Sequence, residues 1–82
     1  MITLREAMRL VQAREGELFY LRAISNKRYD GEWWNVRDMR QQLDWTKIKV
    51  HHIDVRFDFE GDYEGLEFEI SELPAKRRKM NG

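Results

Sequence analysis

Lys47-Ile48-Lys49-Val50-His51-His52-Ile53-Asp54-Val55-Arg56-Phe57-Asp58-Phe59 is the stretch that decides the fold. It carries the strongest strand signal in the chain, and its apolar residues fall in two phases. Ile48 and Val50 occupy even positions, whereas Ile53, Val55, Phe57 and Phe59 occupy odd ones. Side chains on a strand alternate between faces, so one face cannot hold both sets. One extra residue near His51-His52 repairs the register, which is a β-bulge. The alternative is that the first half is buried on the other face.

Working outward, Glu60-Gly61-Asp62-Tyr63-Glu64-Gly65 reads as a loop. Leu66, Phe68 and Ile70 then alternate with Glu67, Glu69 and Ser71, the pattern of a strand that is apolar inward and acidic outward. The two long strands are expected to pair as an antiparallel hairpin. On the other side, Val36, Met39 and Leu43 allow a short helix within residues 37–45, although that stretch is polar enough for a loop. Glu32 to Val36 reads as a strand returning from the turn chemistry of residues 25–31. Leu18 to Ile24 is a continuous apolar run suited to a central strand covered on both faces. At the start, Thr3 and Glu6 form a capping box, with Ile2 placed to pack on Ala7. Leu4, Ala7, Met8 and Val11 then line one face of a helix over residues 4–14, stopped by Gly16.

These elements predict an α+β fold: a four-stranded, mainly antiparallel sheet with the N-terminal helix packed on one face. Residues 1–74 form one domain, and residues 75–82 are read as a basic mobile tail. Ile53, Val55, Phe57 and Phe59 are expected to join the helix and the other strands in one shared interior. Eighty-two residues with 41% hydrophobic content suffice for one such core, despite 37% charged residues. The chain has no cysteine, hence no disulfide and no thiolate chemistry. With no signal-peptide pattern and no membrane-length apolar run, a cytoplasmic protein is expected.

Zero net charge conceals segregation. Residues 1–53 sum to +3, residues 54–72 to −7, and the last ten residues to +4. Such asymmetry bears on partners rather than on fold.

No constellation marks an enzyme. Asp58, Glu60, Asp62, Glu64 and Glu69 echo the spacing of a calcium loop, but Tyr63 stands where the sharp-turn glycine belongs and the flanks are strands. A solvated hairpin is the better reading. His51 and His52 face opposite ways on a regular strand and lack a third ligand. Ser25 and Ser71, the only serines, sit in no nucleophile pattern. No catalytic residue, metal or cofactor is therefore assigned.

Tyr29, Trp33 and Trp34 lie beside Lys27 and Arg28, a grouping able to stack on bases or to anchor a protein contact. Trp33 and Trp34 point to opposite faces of a strand, so one belongs to the core, and ordinary packing competes with either function. Lys76, Arg77, Arg78 and Lys79 form a basic tail patch.

Leu4-Arg5-Glu6-Ala7-Met8-Arg9-Leu10, the run from Phe19 to Ile24, Lys27-Arg28-Tyr29-Asp30-Gly31-Glu32-Trp33, and Val50-His51-His52-Ile53 through Phe59-Glu60-Gly61 carry a resemblance. Together they resemble a group of short uncharacterised bacterial proteins of Bacteroides-type genomes and their mobile or prophage-like regions. The likeness spans roughly residues 3–61 and departs in the acidic second hairpin. It implies an accessory or interaction protein and no catalytic residue. The expectation is a non-enzymatic module that binds a protein partner or itself, with nucleic acid as the alternative and no membrane. The contact residues expected are Lys27, Arg28, Tyr29, Trp33, Trp34 and the basic tail.

Overall fold

The computed structural model describes residues 1–24 and 31–71. In chain order the elements are β1 (Ile2–Thr3), α1 (Leu4–Leu10), β2 (Leu18–Ala23), β3 (Glu32–Asn35), α2 (Val36–Gln42), β4 (Lys49–Phe57) and β5 (Tyr63–Ile70). The class is α+β. Among the described residues, however, the sheet has five strands in the order β1-β4-β5-β2-β3, not four, and is mixed because β2 runs parallel to β5. Two residues of β1 are too few to leave a period, and no local signal marks a pairing between strands so distant in sequence.

The capping box forms as read. Thr3 Oγ1 accepts from the Glu6 N–H at 3.1 Å, and Glu6 Oε1 accepts from the Thr3 N–H at 2.8 Å. The N–H groups of Leu4 and Arg5 donate to the carbonyls of Ile48 and Trp45, which ties the helix start to the approach of β4. α1 ends at Leu10, short of Gly16, because Gln12 turns the chain with a φ of 54°. Residues 37–45 resolve in favour of the helix. Asn35 Oδ1 caps α2 by accepting from the Asp38 N–H at 2.8 Å, so Val36 opens a helix rather than closing a strand.

Both helices lie on one side of the sheet. Leu4, Ala7 and Met8 of α1 and Val36 and Met39 of α2 are buried with Phe19, Leu21, Val50, Phe68 and Ile70. The Phe19 and Phe68 rings meet edge to face at 5.6 Å. Val50 pairs with Ile70, and His52 with Glu69, so the ladder slips one residue at His51. This is the bulge near His51-His52, and not the alternative in which the first half of the strand is buried on the other face. It returns Ile53 and Val55 to the face of their partners Phe68 and Leu66.

The expected shared interior stops there. Ile53 is 40% exposed, Val55 43%, Phe57 61% and Phe59 99%. Their face is right, but nothing among the described residues lies above them. Seven helical residues span about 10 Å, whereas the nine of β4 extend about 30 Å. The helices therefore cover only part of the sheet's length.

Replacing Phe68 by Ala should cost about 3–5 kcal/mol, whereas Phe59→Ala should stay within about 0.5 kcal/mol. Urea unfolding followed by circular dichroism separates the two. Arg40 also grips both Glu15 oxygens at 2.6 Å, fixing the segment after α1 to α2. That hydrogen bonding holds the Glu15 carboxyl below its ordinary 4.5, so its contribution is complete above that value and is lost as pH falls through the lowered one. The melting-temperature gap between the native chain and Glu15→Gln should be widest at neutral pH and close in acid.

Candidate functional site

β1 covers β4 only at Lys49 and Val50, so among the described residues the remainder of β4 is an open edge. The direction of its backbone groups follows from two hydrogen bonds. Ser71 N–H donates to the Lys49 carbonyl, and Ile24 N–H donates to the Ile70 carbonyl. Lys49 and Ser71 thus face each other, while Ile70 faces β2. By alternation Phe68 and Leu66 also turn toward β2. Their antiparallel partners Ile53 and Val55 therefore turn their N–H and C=O groups away from β5, into the open. The Val55 N–H is met there by the Asp54 carboxylate at 2.8 Å.

The same residues carry the bare apolar face. Ile53, Val55 and Phe57 form a row above the open edge, and Tyr63, paired with Phe57, is 65% exposed. Contiguous exposed apolar side chains beside outward-facing backbone groups constitute a surface prepared for another strand.

The helix-free face is built differently. Tyr20 is 6% exposed. The Arg56 guanidinium lies over its ring at 3.9 Å, and Trp33 meets it edge-on at 5.3 Å. Arg56 donates to Glu67 at 2.8 Å and to Glu64 at 3.3 Å, and Arg22 donates to Glu67 at 3.0 Å and Glu69 at 3.1 Å. Burial works against the Arg56 charge, but its bonds to Glu67 and Glu64 outweigh that and raise its pKa. The bond to Glu67 likewise raises that of Arg22. The acidic ladder of β5 is thus largely consumed by internal cations.

Of the expected contact residues, Trp33 and Trp34 do point to opposite faces. Trp34 packs against the core, and its indole N–H finds no partner among the described residues. Trp33 is 38% exposed and rests on Tyr20 and on Gly65, where a Cβ would sit 3.0 Å from Cζ3 of its ring. Neither tryptophan touches the open edge described above. Lys27, Arg28 and Tyr29, and the tail residues Lys76, Arg77, Arg78 and Lys79, lie outside the described residues. The row that sequence reasoning missed as a surface is Ile53, Val55 and Phe57, because their alternation signals burial as readily as a bare face.

Asp58, Glu60 and Asp62 bring carboxylate oxygens within 4.8 Å of one another. Asp58 Oδ1 accepts from the N–H groups of Glu60 and Asp62, both at 2.9 Å, so this carboxylate shapes the hairpin turn. His51 and His52 are both exposed, and His52 Nε2 stands 3.9 Å from Asp54. An open depression bordered by Val11, Gln12, Arg14, Gly16 and Glu17 gathers no reactive set. No helix among the described residues is long and apolar enough to cross a membrane. No family model, curated protein or solved structure matches this chain.

Gly65→Ala should push the Trp33 ring outward and red-shift tryptophan emission. The shift should disappear when Trp33 is also replaced by Phe, which assigns it to that ring.

Proposed function

We propose that this chain is a non-enzymatic protein-interaction module whose contact surface is the open edge of β4 with the apolar row Ile53, Val55 and Phe57. One observation carries the reading: outward-facing backbone donors and acceptors and bare apolar side chains belong to the same residues. An added strand would satisfy both at once, main-chain bonds giving affinity and alternate side chains giving selectivity. Such a role agrees with the accessory character implied by the resemblance over residues 3–61. Nucleic-acid binding finds less support, since Arg22 and Arg56, on the helix-free face with Trp33, each already donate to two of Glu64, Glu67 and Glu69.

The test is a titration of dilute, isotope-labelled protein with an extended peptide of alternating Val and Thr, read in amide spectra. The amides of Ile53, Val55 and Phe57 should shift, and those of α1 should not. Val55→Pro removes an N–H that faces outward rather than into the sheet, so it should leave the fold intact and abolish the shifts. An unresponsive β4 would defeat the proposal.

A further inference from the structure

Resting on that reading, we infer that the strand received by the β4 edge is β4 of a second copy, paired antiparallel about a two-fold axis through Val55. The register follows from charge. Asp54 and Arg56 share the helix-free face, two positions apart, and flank Val55. An axis through Val55 sets Asp54 against Arg56 of the second copy twice, Val55 against itself, and Ile53 against Phe57. An axis through Asp54 would oppose two carboxylates, and one through Arg56 would oppose two guanidiniums and set Asp54 against Asp58. Like charges directly across a ladder are destabilising.

The exposed Asp54 carboxylate is placed to take such a cation. Its cross-strand partner is Glu67, a like charge, and Glu67 is already served by Arg22 and Arg56. Among the described residues the Asp54 carboxylate bonds its neighbour's N–H, with His52 3.9 Å away. In the dimer that N–H would donate across the axis, releasing the carboxylate toward Arg56 of the second copy, whose Nε and Nη1 remain on Glu64 and Glu67.

The backbone parity agrees. Ile53 and Val55 face outward, and because the second register shift skips Glu64 on β5 and not a residue of β4, alternation along β4 adds Phe57, so these residues exchange main-chain bonds across the axis. Asp54 and Arg56 then fall at non-hydrogen-bonded positions, where side chains approach most closely. The paired run, 53–57, also stops short of Val50, where β1 occupies the edge. The product is an isologous dimer in which both apolar rows lie side by side on one face.

The native chain should show concentration-dependent dimerisation in sedimentation equilibrium, and Asp54→Lys, which circular dichroism should find folded, should weaken it about tenfold or more. Because the chain lacks cysteine, single thiols report the register. Val55→Cys should oxidise readily to a linked dimer, since directly opposed Cα atoms lie about 5.5 Å apart. Ile53→Cys and Phe57→Cys should each fail alone but cross-link when mixed. A native chain that stays monomeric while the Val/Thr peptide still shifts β4 would overturn the second copy and leave the binding surface standing. A monomer that also ignores the peptide would remove both. A dimer unaffected by Asp54→Lys, or linked equally well through any of the three thiols, would overturn the register.

Discussion

One residue of slack in β4 holds the molecule together. Val50 and Ile53 are three apart and must point the same way, which no regular strand allows. The slip at His51 absorbs the mismatch. It lets the first part of β4 seat Val50 in the core beneath α1, and the second part keep its apolar row on the helix side. Without it, Ile53 and Val55 would crowd into the cationic and acidic side chains of the opposite face, where Arg56 and Glu67 now stand. The ion pairs, the cation over Tyr20 and the bare apolar row are all downstream of that displacement.

The two faces of the sheet reach stability by separate means. On the helix side, Phe19, Leu21, Phe68 and Ile70 are removed from water by two short helices, an area-driven gain. On the other side the described residues supply no second layer. Tyr20 is buried there by Arg56 and Trp33, and charged stems spread over its ring as a thin roof. Gly65 makes this possible by leaving room for the indole.

Much of this could be read in the chain. The phase change between Val50 and Ile53 announced the bulge, the Thr3–Glu6 spacing announced the first helix, and the Leu66, Phe68, Ile70 alternation announced the last strand. Other features left no trace. β1 is too short to have a period, and the parallel union of β2 with β5 is a tertiary choice that propensity does not encode. The exposure of Val55 and Phe57 was hidden for a deeper reason. Periodicity reports which face a side chain takes, and it is silent on whether another layer reaches far enough to cover it. Asn35 was legible in principle, since an asparagine before Val36 and Met39 is a cap signal, but the neighbouring tryptophans made the segment look like strand throughout.

The parallel seam has a bearing on how the chain assembles. β4 and β5 are joined by a tight turn and can zip together with little loss of chain freedom, whereas Tyr20 must find Glu67 across most of the sequence. The ribbon that keeps a greasy side exposed among the described residues can then form before β2 docks on it. Whatever delays that closing step prolongs the interval in which sticky ribbons of neighbouring chains meet, so crowding during synthesis is where this architecture is most vulnerable.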